Sequence, residues 1–246
     1  MEKVALITGA CGGLGQAMAA QLAAGHQLVL VSRDAARLQQ MYGDDHVQIE
    51  ADCTSLAGAD AVLQQLESRG RPVPTLLAHC VGNIRLGAMH RMSEADFMAC
   101  MQANLFSAYF MLAAFLKALR VAKQPGAAVL VSSAAARIGT PNHEAIAAAK
   151  GGLEAMVRGA AATYAPYQIR INAVAPGLME TPAASALLAS EAGRELAARQ
   201  YPLAGIGQPQ ELASLMAWLL SEQAARVTGQ VWSLDGGYAA IRPLVK

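Results

Sequence analysis

Four glycines fall within the eight residues Thr8-Gly9-Ala10-Cys11-Gly12-Gly13-Leu14-Gly15, directly after a short apolar run at 4–8 and directly before a helical pattern. In that pattern Leu14, Met18 and Leu22 recur every fourth residue, and Gly25 is placed to end it. Glycines at a strand-to-helix junction permit a tight turn and let backbone N–H groups approach an anion such as a nucleotide pyrophosphate, which the helix dipole favours. A plain tight turn would use the same residues, so the cluster by itself leaves both readings open. It does fix the local order of the chain as strand, turn and helix.

The rest of the chain repeats that order. Short runs rich in β-branched residues and leucine at 28–32, 47–51, 75–79, 128–132, 169–173 and 231–234 alternate with longer amphipathic stretches. This is the pattern of parallel strands joined by crossover helices. No composition shift, linker or repeat divides the 246 residues. The expected architecture is one α/β domain over 1–246: a doubly wound, Rossmann-type, mostly parallel seven-stranded sheet with helices on both faces. The longest interval without a strand runs from Pro176 to Gln208, and a helix-bearing insertion after a strand end suits a lid over a ligand, at about 178–208. Residues 94–120 predict a long helix broken near its start, with Ser93 and Asp96 as a weak cap. Its uncharged stretch at 97–116 contains Gln102, Asn104, Ser107 and Tyr109, which lipid would penalise, so a helix packed on all sides within a soluble assembly is expected.

Apolar residues make up 54% and charged residues 15%, below the usual ~25% charged, which predicts surface hidden between subunits. Net charge is +1, from 19 basic and 18 acidic residues without runs, so neither nucleic acid nor an anionic membrane finds an electrostatic footprint. Cys11, Cys53, Cys80 and Cys100 lack the paired spacing of a structural zinc site. They read as reduced, buried thiols of a cytoplasmic protein, and no metal is expected. The N-terminal apolar run is too short for a secretory signal.

Thr8, Gly9, Gly13 and Gly15 fit the T-G-x-x-x-G-x-G loop of the short-chain dehydrogenase/reductase family, and the resemblance continues along nearly the whole chain. Gly207-Gln208-Pro209 and Asp235-Gly236-Gly237 resemble the C-terminal half of bacterial 3-oxoacyl-acyl-carrier-protein reductases. The resemblance implies a dinucleotide held by Thr8, Gly9, Gly13, Leu14 and Gly15, with Asp52 and Cys53 beside the adenine. It implies Lys150 on the nicotinamide ribose, and Pro176, Gly177 and Thr181 on the nicotinamide side, in the segment that follows from Asn172. It further implies catalytic roles for Ser133, Asn104 and Lys150. Ser32-Arg33 stand where NAD-preferring members carry an acid; Arg33 could pair with a 2′-phosphate, so NADP(H) is expected over NAD(H). Arg33 also reads as a solvated arginine, and Gly12 fills a loop position where many NADP-using relatives have a basic residue. The family commonly assembles through the helices corresponding to 104–120 and 145–164, which implies a homotetramer or homodimer.

The pattern breaks at its proton donor. The family couples hydride transfer to proton transfer through a Tyr-x-x-x-Lys pair, and here Lys150 is present while Ile146 stands at the tyrosine position. Isoleucine has no proton to give. The segment His79-Cys80-Val81-Gly82 replaces the family's Asn-Asn-Ala-Gly, with His79 expected to be adjacent to the cofactor and structural. His143, seven residues before Lys150, offers a substitute donor if the helix extends that far, or it merely lines a pocket. Two functions follow. One is an NAD(P)(H)-dependent oxidoreductase with an atypical site, acting on a small molecule such as a conjugated carbonyl or ketoacyl compound. The other is a catalytically silent dinucleotide-binding subunit or regulator that partners an active homologue in a hetero-oligomer.

Overall fold

The computed structural model describes residues 3–242. Strands β1 (Lys3–Thr8), β2 (His26–Ser32), β3 (Val47–Glu50), β4 (Leu76–His79), β5 (Gly126–Val131), β6 (Ile169–Pro176) and β7 (Val231–Leu234) form one sheet in the order β3-β2-β1-β4-β5-β6-β7. Every neighbouring pair is parallel. The helices are α1 (Gly13–Leu22), α2 (Ala35–Tyr42), α3 (Leu56–Ser68), α4 (Glu94–Met101), α5 (Ser107–Ala122), α6 (Glu144–Tyr164), α7 (Glu191–Ala198) and α8 (Pro209–Leu220).

Alternate residues of each strand face opposite layers, as the two-residue period requires. Val4 and Leu6 of β1, Val29 and Val31 of β2, and Ala128 and Leu130 of β5 pack under α3, α5 and α6. The intervening Ala5, Ile7, Leu28, Leu30, Ala127 and Val129 pack under α1, α2 and α8. A parallel sheet covered on both faces needs apolar residues at every position, which is why these strands read as continuous apolar runs.

Details differ from the sequence reading. Helix α1 ends at Leu22, and Gly25 sits in the following turn, donating its N–H to Leu22 O at 3.2 Å without the positive φ of a glycine cap. Strand β6 continues through Pro176, so Asn172 lies within the sheet, where its amide donates to Val227 O and accepts from Gln230 N. The break in the long helix is a π-helical segment at 102–106 joining α4 to α5. Within a single chain this helix is packed on one side only, since Phe97, Met98 and Tyr109 remain exposed. Cys80 is half-buried, whereas Cys11, Cys53 and Cys100 are buried.

Candidate active site

The strand order reverses direction between β1 and β4, and the crevice at the carboxyl ends of these strands is where such sheets bind ligands. Gly9, at the end of β1, has φ +68°, and a Cβ there would lie 2.9 Å from the Cys80 carbonyl, so the turn passes against the end of β4. A Cβ at Gly15 would come within 2.2 Å of Gly9 O. No side chain caps the start of α1, and no acidic residue stands in its first turn, which leaves that end electropositive. Tyr42 fastens α2 to this loop, its hydroxyl donating to Ala10 O at 2.7 Å. Burial, and then the Cys11 and Cys80 thiols, push its phenol up to about 12.

Beneath the loop, His79 is fully enclosed, with Nδ1 2.8 Å from Thr8 Oγ1 and Nε2 3.1 Å from Ser107 Oγ. Burial, reinforced by the Lys150 charge, pushes its imidazole down to about 3. At the rim Asp52 accepts from the backbone N–H and hydroxyl of Thr54 at 3.0 and 2.8 Å. Burial raises its carboxyl, but those hydrogen bonds and the nearby Arg33 guanidinium outweigh it and leave the group below its ordinary range. Arg33 is exposed beside it. The Cys53 side chain is elsewhere: it is buried in the core with Sγ 4.0 Å from Met111 Sδ, so only its backbone could reach a ligand.

The second half of the crevice is built by β5 and α6. Ser132 and Ser133 follow directly on β5, and the Ser133 hydroxyl accepts from Ala135 N at 3.2 Å. Lys150 points inward from α6, 5% exposed, and donates to Val131 O at 2.7 Å. Among the described residues no carboxylate pairs with it. Burial pushes its ammonium down to about 8, against an upward pull from the Cys100 and Cys80 thiols. Asn104 lies in the π-helical segment, where its Nδ2 donates to Asn83 Oδ1 at 2.8 Å and Cys100 O at 3.0 Å, and its Oδ1 accepts from Asn83 N at 3.3 Å. A Cβ on Gly82 would sit 3.0 Å from Asn104 Oδ1 and 3.7 Å from Lys150 Nζ, so glycine there lets both polar atoms face one spot.

One turn before Lys150, Ile146 is buried in a small apolar cluster with Met92, Cys100, Ala135 and Ala145. His143 does not share the helix face: α6 starts at Glu144, and the ring of His143 turns back to place Nδ1 2.7 Å from Pro141 O. One turn after Lys150, Glu154 accepts from Ser132 Oγ at 2.8 Å and from Arg137 Nε at 3.2 Å.

The insertion after β6 returns to the glycine loop. Its two ends are pinned together, with Glu180 N donating to Gly207 O at 2.9 Å and Gly207 N to Leu178 O at 3.1 Å. A Cβ on Gly13 would meet Thr181 Cγ2 at 3.2 Å and Pro182 Cδ at 3.1 Å, which sets Thr181 directly on the glycine loop. Tyr201 packs on Gly177 and accepts from Leu178 N at 2.7 Å. Thus the structure gathers Thr8, Gly9, Gly13, Leu14, Gly15 and Thr181 on one side, and Ser133, Asn104 and Lys150 on the other. Sequence reasoning missed Tyr42, Tyr201 and Glu154, whose partners are distant in the chain.

The sequence model of the family described as enoyl-(acyl carrier protein) reductase matches residues 9–239. The chain belongs to the short-chain dehydrogenase/reductase family. It is 32% identical to an uncharacterized oxidoreductase, YmfI, of Bacillus subtilis, over 97% of this chain and 99% of that one. It is 31% identical to the 3-oxoacyl-[acyl-carrier-protein] reductase FabG of Vibrio cholerae, over 96% of each chain. Among solved structures it resembles a 3-ketoacyl-(acyl-carrier-protein) reductase from Brucella melitensis complexed with NADH, at TM-score 0.87 and 27% identity, covering 96% of this chain and 98% of that one.

As a short-chain dehydrogenase/reductase, the chain is implied to take a nicotinamide dinucleotide, and its residues fit that group. The cradle that Cβ atoms at Gly9 and Gly15 would fill, the uncapped start of α1, and the Asp52 carboxylate at the rim are the features a pyrophosphate and adenosine require.

Proposed function

We propose that the protein is an NAD(P)(H)-dependent oxidoreductase whose active site works without the family's tyrosine. The observation that carries this reading is Lys150: a buried ammonium with no carboxylate partner among the described residues, held beside Asn104 near the glycine loop. Burying an unpaired cation costs several kcal/mol, a cost that a site retaining lysine only for packing would not carry.

The glycine loop and Thr181 would hold the pyrophosphate, Asp52 the adenine side, and Lys150 the nicotinamide ribose. Arg33 favours NADP(H), since a guanidinium can pair bidentately with a 2′-phosphate. When bound, the nicotinamide supplies or accepts hydride. Ser133, whose own hydroxyl proton is not spent on Ala135 N, orients the substrate oxygen. Lys150 places positive charge near that oxygen, and Asn104 fixes the π-helical turn beside it. Because Ile146 cannot protonate an alkoxide, substrates whose reduced anion is already stabilised, conjugated enones and quinones, suit the site best, whereas a ketoacyl compound leaves a simple alkoxide and needs another proton source.

Calorimetry with NADPH and NADH, followed by a panel of ketones, enones, quinones and ketoacyl thioesters, tests this. NADPH should bind more tightly, and at least one conjugated or ketoacyl acceptor should be reduced. A folded protein that binds neither nucleotide would overturn the reading.

A second reading is favoured by the apolar packing around Ile146, which is buried with Met92, Cys100, Ala135 and Ala145 and offers no proton donor. In it the chain is a silent dinucleotide-binding subunit in a mixed assembly with an active homologue. Copurification of a tyrosine-bearing paralogue from the native cell would support it, and a pure homomer with measurable turnover would count against it.

A further inference from the structure

Lys150 has three N–H bonds, and among the described residues only Val131 O takes one of them, at 2.7 Å. The remaining two belong to a side chain nearly closed off from solvent, in a pocket it shares with Asn104 Oδ1 at Gly82. The groups facing it from the packed elements are His79 and Cys80 at the end of β4 and Cys100 from α4. Burial pushes both thiols up, Cys80 to about 12, and pushes the imidazole down to about 3, so all three are neutral near pH 7. None can take or give a proton there. Ile146, the next residue on the same helix face, has no proton, and His143 is turned back onto Pro141.

We propose that Lys150 is itself the proton donor of this site. The inference rests on the oxidoreductase reading and specifies its missing step. In the reductive direction the substrate carbonyl carbon gains hydride from the reduced dinucleotide, the C=O π pair moves to oxygen, and that oxygen takes a proton as one Nζ–H bond of Lys150 breaks. Lysine is left as a neutral amine, a form that burial makes easier to reach than for a solvated lysine. The alcohol and the oxidised dinucleotide leave, and the amine regains a proton from solvent water. In the oxidative direction the neutral amine accepts the alcohol proton.

The test begins on the free protein. The chain has five lysines, Lys3, Lys117, Lys123, Lys150 and Lys246, so lysine labelled with ¹³C at Cε gives a short spectrum in which Lys150→Arg identifies one signal. That signal should titrate near pH 8, apart from ordinary lysines near ~10.4. With cofactor, kcat/KM for reduction should be level below that same midpoint and fall about tenfold per pH unit above it, while oxidation shows the reverse. Lys150→Ala should lose ~10²- to 10⁴-fold in rate and recover part of it with added ethylammonium. A merely structural lysine would give neither the pH break nor the rescue. Titration of the Lys150 signal in the ordinary range, or turnover surviving in Lys150→Ala with the wild-type pH profile, would overturn the donor role alone. Absence of nucleotide binding by the wild type would overturn the oxidoreductase reading and this role with it.

Discussion

Thr8, His79 and Ser107 form a chain whose proton directions are set from one end. The Ser107 hydroxyl donates to Ala103 O at 2.7 Å, so its oxygen accepts from His79 Nε2, and His79 Nδ1 must accept from the Thr8 hydroxyl. The imidazole is therefore neutral, protonated on Nε2, and it joins the end of β1 to the start of α5, directly after the π-helical segment that carries Asn104. Because its pKa is about 3 when folded and near 6.5 when unfolded, acid protonates the unfolded chain first. Stability is complete above about pH 6.5 and falls as pH drops toward 3, with a slope of up to about 1.4 kcal/mol per pH unit from this group. Urea unfolding between pH 7 and 4 should show a steeper slope in the wild type than in His79→Gln, by up to that amount, and equal slopes would refute the assignment. The sequence marked His79 as cofactor-adjacent and structural, but nothing local announced Ser107, 28 positions away. Ile146 is the converse case: its proposed place at the tyrosine position rests only on the spacing to Ser133 and Lys150. Ile146→Tyr sets a phenol one turn from Lys150, and ketone reduction should rise ~10²- to 10⁴-fold, measured as NADPH oxidation; no rise in a variant that still binds nucleotide would show that the apolar cluster holds the phenol away.

At the scale of elements, α6 does more than carry Lys150. Glu154, one turn further, is almost fully buried, and its carboxylate accepts from Ser132 and Arg137, while Arg137 Nη2 donates to Val231 O of β7 at 3.1 Å. One ion pair thus ties the end of β5, where Ser133 sits, to α6 and to the edge strand. Removing one partner of a buried pair costs ~3–5 kcal/mol; Arg137 is partly solvated, so Arg137→Met should cost about 1–3 kcal/mol in chemical denaturation. The double variant Arg137→Met with Glu154→Gln should be more stable than the single one, because the stranded carboxylate is gone, and a double variant less stable than Arg137→Met would contradict this account. All seven strands were legible in the sequence because a doubly covered sheet writes itself as apolar runs. The ends of elements were not, since Gly25 looked like a cap yet closes only a turn, and Asn172 belongs to a strand that a Val227 carbonyl stabilises from 55 positions away. The break in the long helix was legible, but its π geometry, and the bonds of Asn104 within it to Cys100 and Asn83, could not be read from local pattern.

For the whole molecule, the low charge density acquires a location. The helix formed by α4, the π-helical turn and α5 buries one face against the sheet and leaves Phe97, Met98 and Tyr109 open, and the far edge of the sheet is β7, with Trp232 38% exposed against Trp218 at 5.2 Å between rings. An unpaired edge strand and an apolar helix face are both surfaces a lone protein would have to shield; we propose that each pairs with its own copy, which would close a tetramer with two-fold axes. Light scattering after size exclusion should give about four times the 25.6 kDa chain mass. Tyr109→Glu together with Phe97→Glu places like charges against each other across a two-fold contact, so it should reduce the particle to half that mass. Nucleotide binding should persist in this variant, because the glycine loop and Asp52 lie at the carboxyl ends of β1 and β3, away from the open helix face. A wild type that elutes as a monomer would remove the assembly, and a variant that stays tetrameric would move the contact off this helix and onto the remaining surface.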